Sequence, residues 1–135
     1  MPITYEVKQN GHFIHAVARS PLTGDEFVDY EVGHAIDERI KSPVSELFEI
    51  RMGAWDMITK DDILEVVRRR GEVEDPPTPH RCAIVLSYFD NRGWDMAEFY
   101  EGMVKLHSPE TVIIFGDMHT AGVWLGVEDL RMPEN

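Results

Sequence analysis

The chain has 135 residues, 43% of them hydrophobic and 28% charged, which is typical of a folded globular domain and not of a disordered segment. Its 13 lysines and arginines stand against 25 aspartates and glutamates, a formal charge of −12 that argues against nucleic acid and anionic membrane surfaces as partners. No apolar stretch approaches the roughly 18–20 residues of a membrane helix, and the start lacks the pattern of a signal peptide, so we expect a cytoplasmic protein.

A β-hairpin is predicted at the start of the chain. Residues Ile3–Lys8 alternate between apolar and polar side chains, which is the period of a half-buried strand. Asn10-Gly11 is a tight-turn pair, and the chain returns as a second strand from His12 to Arg19. Pro21 ends that strand because proline cannot donate to a sheet ladder.

The next segment predicts a helix followed by a strand. Thr23 is the expected N-cap, and Pro43 is expected to stop the helix. Apolar residues recur at helical spacing on one predicted inner face: Val28, Val32, Ala35, Ile36 and Ile40. A third strand is predicted over Ser45–Met52.

A second helix is predicted over Lys60–Arg70 and ends at Gly71. Thr59 with Asp62 three residues later resembles a capping box, with aspartate in place of glutamate. The inner face is predicted to consist of Ile63, Leu64 and Val67. Residues Glu72–His80, which include three prolines, are expected to form an extended, exposed connector.

Cys82–Leu86 is continuously apolar, as in a strand buried on both faces. Cys82 is the only cysteine, so no internal disulfide is expected, and we interpret it as a buried small hydrophobe without reactive character. A loop over Tyr88–Trp94 follows, with Gly93 just before a helix. That helix carries an apolar stripe formed by Met96, Phe99, Tyr100, Met103 and Val104.

A fifth strand is predicted over Thr111–Phe115, and Asp117 is expected to cap a short last helix that ends at Gly126. Residues 131–135 are expected to form a frayed tail. The order β-β-α-β-α-β-α-β-α predicts one α/β domain over residues 1–135. It has an N-terminal hairpin followed by four β-α units, and helices pack on a mixed, mostly parallel sheet.

Three stretches carry a family resemblance. They are Glu49 to Ile63; Ala83 to Ser87 with the following Arg92-Gly93; and Val112 to Asp117 with Ala121 and Trp124-Leu125-Gly126. With the hairpin, they resemble the STAS fold of sulphate-transporter and anti-sigma-antagonist domains, and within it the stand-alone SpoIIAA-like branch. The resemblance implies a non-enzymatic regulatory or protein-interaction module.

Anti-sigma antagonists carry a phosphorylatable serine where the loop after the third strand meets its helix. Thr59 occupies the corresponding kind of position, preceded by Met57-Ile58 and not by the Asp-Ser-Ser-Gly-like motif of those proteins. Thr59 is therefore a candidate phosphorylation site by resemblance. Its alternative role is that of a helix N-cap, and the neighbouring Asp61 and Asp62 would repel a phosphate.

A recognition surface is predicted where the third and fourth strands end, because parallel sheets gather ligands beyond the carboxyl ends of their strands. The alternative is that the two tryptophans cover the core and that Thr59 and Asp90 only cap or turn the chain. The candidate residues for binding a ligand or partner are Trp55, Asp56, Thr59, Lys60, Tyr88, Asp90, Asn91, Arg92 and Trp94.

No metal site, cofactor or catalytic motif is predicted. His12 and His15 are three apart on a strand and point to opposite faces. Four other histidines are scattered: His34, His80, His107 and His119. Glu31 and His34, three apart on the first helix, are interpreted as a surface pair.

The sequence is compatible with three functions. A protein partner is preferred, and a carrier or sensor of a small apolar or lipid-like molecule is the alternative. A small hydrolase using Ser87 is the least favoured, because Ser87 lacks the Gly-x-Ser-x-Gly elbow. The first strand leaves Ile3, Tyr5 and Val7 at a sheet edge, which either packs on a helix or pairs with a second copy as a homodimer.

Overall fold

A five-stranded sheet forms the centre of the computed structural model, which describes residues 2–73 and 80–127. β1 pairs antiparallel with β2, and every other pairing is parallel, in the order β1-β2-β3-β4-β5. The α/β prediction, with an antiparallel hairpin at one edge, is confirmed. The strands are β1 (Ile3–Lys8), β2 (Phe13–Ala18), β3 (Val44–Ile50), β4 (His80–Val85) and β5 (Thr111–Phe115).

Four helices connect or follow the parallel strands, and side-chain caps fix where each one starts. The predicted N-caps Thr23, Thr59 and Asp117 are confirmed, each accepting a hydrogen bond from a backbone N–H three residues later. Asp90 caps the third helix, which therefore begins inside the predicted loop over Tyr88–Trp94 and before Gly93. The helices are α1 (Gly24–Ala35), α2 (Lys60–Arg70), α3 (Asn91–His107) and α4 (Met118–Leu125).

The sheet separates two cores of unequal size. Even-numbered residues of β2, β3 and β4, such as Ala16, Phe48 and Ile84, pack under α1, α2 and α3. Odd-numbered residues such as Leu47 and Ala83 pack against α4 on the opposite face. Both faces are thus covered, which explains why β4 is continuously apolar from Cys82 to Val85.

The first helix is shorter than predicted. α1 ends at Ala35, and Ile36, predicted to face inward, is 63% exposed. The chain departs from the helix because the Asp37 carboxylate accepts hydrogen bonds from the backbone N–H of Arg39 and the hydroxyl of Tyr5. Ile40 is buried, but against Ile14 and Val44 and not on the helix face.

The inner face of α2 also differs from the prediction. Ile63 and Val66 are buried and Val67 is half-buried, whereas Leu64 is exposed. The i, i+3 pair Ile63 and Val66 defines the buried stripe, and Leu64 lies one position away from it. The observed strand limits differ from the predicted ones by one or two residues. β3 ends at Ile50 and not at Met52, and β4 begins at His80 and not at Cys82.

The predicted connector over Glu72–His80 lies mostly outside the described residues, as does the predicted tail over 131–135. Across the described ranges, no helix combines the length and apolar character needed to cross a membrane.

Candidate functional site

The two loops predicted to form a recognition surface lie side by side. Arg92, at the start of α3, joins them by donating from Nε to the Asp56 carbonyl at 2.8 Å and from Nη2 to the Ile58 carbonyl at 3.1 Å. The backbone N–H of Gly53 lies 3.5 Å from the Asp90 carboxylate and donates to it. We call the part of the molecule formed by residues 51–60 and 87–94 the carboxyl-edge surface.

Trp55 does not lie on this surface. Its side chain is fully buried, and its ring is 5.2 Å from Phe27, 6.1 Å from Phe48 and 6.2 Å from Tyr100, centroid to centroid. It fills the core beneath the loop instead of lining an opening.

Trp94 and Tyr88 form a stacked pair at the end of β4. Their rings are 5.7 Å apart and inclined by 9°, and Trp94 donates from Nε1 to the Ser87 carbonyl at 2.9 Å. A Cβ added to Gly116 would come within 2.0 Å of the Tyr88 ring, so the glycine leaves room for that ring. The Ser87 hydroxyl accepts from the Phe89 N–H at 3.1 Å, the contact of a turn residue.

The remaining predicted residues divide between capping and exposed positions. Thr59 and Asp62 form a reciprocal capping box, and buried Asp90 accepts from the Gly93 N–H at 3.0 Å. Asp56 and Asn91 are exposed. Lys60 is also exposed, with its ammonium 5.2 Å from the centre of the Phe99 ring.

Sequence reasoning identified Tyr88 but not the other exposed apolar side chains on this surface. Eight large hydrophobic side chains are exposed among residues 2–73 and 80–127, and four of them lie here. They are Met52 at 58% exposure, Met57 at 59%, Tyr88 at 68% and Phe89 at 87%. Large apolar residues inside predicted loops were the available signal, since exposed apolar groups that gather in one place mark binding surfaces.

A second candidate site lies at the opposite edge of the sheet, where β3, β4 and β5 begin. Six charged or titratable side chains meet there beneath the C-terminal ends of α1 and α2, and all are buried or nearly so. We call them the Glu–His cluster: Glu31, His34, Glu46, Arg70, His80 and Glu110.

Glu46 is the centre of this cluster. Its Oε2 accepts from the Tyr30 hydroxyl at 2.7 Å and lies 3.9 Å from His34 Nε2. Its Oε1 lies 2.9 Å from His80 Nε2. Both carboxylate oxygens therefore have partners, as a buried charge requires.

Glu31 and Arg70 extend the cluster. Glu31 Oε2 lies 3.1 Å from His34 Nε2, 3.2 Å from the Tyr100 hydroxyl and 3.3 Å from Arg70 Nη1. The same Arg70 nitrogen donates to Glu110 Oε2 at 2.8 Å. Charged or titratable groups from two helices, from two strands and from the residue just before β5 thus form one network.

The topology explains why these residues meet. Each connecting helix runs back over the sheet, so its C-terminal end lies above the start of the next strand. Glu46 lies near the start of β3, His80 is the first residue of β4, and Glu110 comes immediately before β5. Arg70 is the last residue of α2, where its positive charge also complements the helix dipole.

Within the cluster, neighbouring groups stabilise the charged forms of Glu46 and His80 by more than burial destabilises them. Burial alone would raise the pKa of Glu46, but His34, His80 and Tyr30 hold it well below its ordinary value. Burial would lower the pKa of His80, yet Glu110 and the hydrogen bond with Glu46 raise it. Burial and the nearby carboxylates raise the pKa of Cys82 well above its ordinary value, which fits the predicted inert thiol.

A pocket of about 190 Å³ adjoins the cluster. It lies between the C-terminal ends of α2 and α3, and its lining includes Val66, Val67, Val104, Arg70, His80 and Glu110. Apolar walls and charged groups thus share one small opening, whose size is below the roughly 300–1,000 Å³ of most drug-sized ligand sites.

The interpretation of Glu31 and His34 as a surface pair is wrong, because both side chains are buried at about 1% and 2% exposure. The histidines were also predicted to be scattered, but His34 and His80 have ring centroids 5.7 Å apart. Two sets of three residues each place one possible metal-ligating atom per residue within 4.8 Å of the other two. The sets are Glu31, His34 and Glu46, and Glu46, Cys82 and Glu110. The periodicity of α1 held the clue, since Glu31 and His34 share a side with buried Phe27.

Comparisons of the chain with family models, with curated protein sequences and with solved structures found no match.

Proposed function

We propose that this chain is a non-enzymatic regulatory module that binds a protein partner through the carboxyl-edge surface. The observation that carries the proposal is the exposure of Met52, Met57, Tyr88 and Phe89 on two adjoining loops. Methionine and aromatic side chains are enriched in protein interfaces, and Arg92 and Lys60 supply a polar rim of the usual kind.

The fixed geometry of the loops supports the same proposal. Arg92 ties the first loop to α3, and Trp55 anchors that loop in the core. Such a surface loses little conformational entropy on binding, which favours affinity at a given interface area. The resemblance of the chain to SpoIIAA-like STAS domains adds to the proposal, since it implies a module that acts by protein contact.

No observation favours a second function strongly enough to propose it. Trp55 fills the core, and the pocket of about 190 Å³ carries the charged side chains of Arg70, His80 and Glu110. An apolar or lipid-like ligand therefore stays a prediction from the sequence. For a hydrolase, the observed partner of the Ser87 hydroxyl is a backbone N–H, with no histidine or aspartate bonded to it among the described residues.

The test is site-specific photo-crosslinking in the cells from which the protein comes. A photoreactive residue at position 89 is expected to capture a discrete protein partner, whereas the same residue at the exposed control position Val123, on α4, is not. The captured protein is then purified and its Kd for the wild-type chain is measured.

Matched double variants decide whether the surface does the binding. Met57→Ser with Phe89→Ser is expected to weaken binding by at least about 10-fold, because truncated anchor residues dominate interface energies. Leu106→Ser with Val123→Ser removes the same kind of exposed apolar group elsewhere and should leave Kd unchanged. Unchanged binding by the first pair overturns the proposal. Crosslinking only to a second copy of the chain, with a matching dimer in sedimentation, replaces the partner with self-association.

A further inference from the structure

We propose that Glu31, His34 and Glu46 bind one divalent first-row transition-metal ion, of the Zn²⁺ or Mn²⁺ kind. This site lies at the amino edge of the sheet, away from the carboxyl-edge surface, and the inference does not depend on the proposed function. It begins from geometry, since one donor atom from each of the three residues lies within 4.8 Å of the other two.

The spacing suits a single ion. Glu31 Oε2 is 3.1 Å from His34 Nε2, and His34 Nε2 is 3.9 Å from Glu46 Oε2. With bonds of about 2.0–2.2 Å to each donor, two ligands of one ion lie about 3–4.4 Å apart. These two separations therefore fit a common centre without a backbone shift.

The donor types select the class of metal. One imidazole with two carboxylates suits zinc, manganese and iron, whereas calcium and magnesium prefer sets made only of oxygen. All three side chains come from rigid elements, α1 for Glu31 and His34 and β3 for Glu46. Each is buried at 1–2% exposure, so the site excludes bulk water from the ligands.

Charge within the cluster gives a further reason for a divalent cation. Glu31, Glu46 and Glu110 are three buried carboxylates, and Arg70, whose Nη1 lies 2.8 Å from Glu110 and 3.3 Å from Glu31, is the one cluster member with a permanent positive charge. Burying unbalanced charge is expensive. A divalent ion bound by Glu31 and Glu46 supplies positive charge at carboxylates that Arg70 alone does not neutralise.

Neighbouring groups orient the ligands as outer partners do in metal sites. Tyr30 donates to Glu46 Oε2 at 2.7 Å, and His80 lies 2.9 Å from Oε1 of the same carboxylate. Tyr100 donates to Glu31 at 3.2 Å. The pocket lined by Arg70, His80 and Glu110 provides the approach to the cluster.

An overlapping set gives the rival position. Glu46, Cys82 and Glu110 also place donor atoms within 4.8 Å. Glu110 Oε1 is buried and, within residues 2–73 and 80–127, accepts no hydrogen bond; His80 Nε2 lies 3.6 Å from it. Only the second set contains the Cys82 thiolate, and Co²⁺ bound to a thiolate shows a charge-transfer band that distinguishes the two sets.

The experiment starts from full-length protein treated with EDTA and desalted. Titration calorimetry with Zn²⁺ and Mn²⁺ is expected to show one ion per chain, with a Zn²⁺ Kd tighter than about 10 µM. Co²⁺ is expected to give visible d–d bands without a thiolate charge-transfer band. A thiolate band overturns the assigned ligands in favour of Glu46, Cys82 and Glu110.

Histidine variants separate this site from adventitious binding. His34→Asn is expected to weaken Zn²⁺ binding by at least about 100-fold, since it removes a direct ligand. The matched control His119→Asn replaces an exposed histidine and should bind like the wild type. Equal weakening in both variants, or no uptake of any of the three ions by wild-type protein at about 1 mM, overturns the proposal.

Circular dichroism shows whether His34→Asn folds. If it does not fold, the Co²⁺ spectrum of the wild-type protein still tests the proposed ligands. A cluster that serves only as a structural ion-pair network takes up no metal, and the wild-type titration alone then contradicts the site.

Discussion

Replacing Glu46 with glutamine tests how strongly the buried network stabilises the fold. The amide keeps the shape of the side chain and removes its charge. It still offers one acceptor oxygen, which is enough for Tyr30 or for His80 but not for both, whereas Glu46 now has partners at 2.7 Å and 2.9 Å. His34, 3.9 Å away, also loses its facing carboxylate.

The expected loss in the free energy of unfolding is about 3–5 kcal/mol. A hydrogen bond to a charged group contributes about 1.5–3 kcal/mol. Removing one partner of a buried ion pair costs about 3–5 kcal/mol, because the other charge is left without compensation. Two affected partners therefore place the loss in the upper range for a single substitution.

The pH dependence has a definite sign. The lowered pKa of Glu46 gives a stabilisation that is present above the ordinary glutamate pKa and is lost as pH falls through the folded-state value. The raised pKa of His80 gives a stabilisation that is complete below the ordinary histidine pKa and is lost as pH rises through its folded-state value. The groups that face Glu46 are His34, His80, Tyr30 and Cys82. The difference between wild type and Glu46→Gln is therefore expected to be larger at about pH 6 than at about pH 9.

The assay is urea unfolding of both proteins with EDTA present, so that no metal contributes. Glu49→Gln is the matched control: it lies on the same strand but on the other face, and burial raises the pKa of its carboxyl group. Neutralising Glu49 should therefore change stability by less than about 1 kcal/mol. A loss below about 1 kcal/mol for Glu46→Gln, or an equal loss for the two variants, would refute this account of the network.

Three further changes probe the carboxyl edge. Trp55→Ala is expected to cost about 3–5 kcal/mol in urea unfolding, because a fully buried tryptophan leaves a cavity; a loss below about 1 kcal/mol would contradict a core role. If Thr59 is an N-cap, Thr59→Ala should lower the free energy of unfolding by about 1 kcal/mol and Thr59→Ser by only a few tenths. The intact mass of protein purified from its own cells tests separately whether Thr59 carries a phosphate. Gly116→Ala is expected to displace the exposed Tyr88 ring, changing tryptophan fluorescence and weakening partner binding with little loss of stability; an unchanged spectrum and Kd would show that the stack does not matter.

The fold was predictable because local signals agreed with one another. Thr23, Thr59 and Asp117 each begin a helix at the predicted residue, since a side chain that accepts from the N3 amide is a local device. The end of α1 was not predictable from periodicity alone, because the apolar spacing continues to Ile40. A contact between Asp37 and Tyr5, 32 residues apart in sequence, redirects the chain there.

The carboxyl-edge loops were placed correctly together, but the role of Trp55 could not be read from its position. A loop tryptophan is equally compatible with a surface and with a core, and packing against Phe27, Phe48 and Tyr100 decides the matter. Met52 and Met57 were passed over because the prediction favoured polar and aromatic residues as site candidates, and Phe89 was left out although it is aromatic.

The Glu–His cluster escaped because its members come from distant parts of the chain and each has an ordinary local explanation. Yet the alternation of side chains along β3 was a usable signal. The even-numbered residues of β3 point to the face that α1 and α2 cover, so Glu46 is a carboxylate at a core-facing position; these residues are Val44, Glu46, Phe48 and Ile50. A charge at such a position requires buried partners. The search for those partners leads to titratable residues at the ends of covering helices and the starts of adjacent strands, which is where Glu31, His34, Arg70, His80 and Glu110 are found.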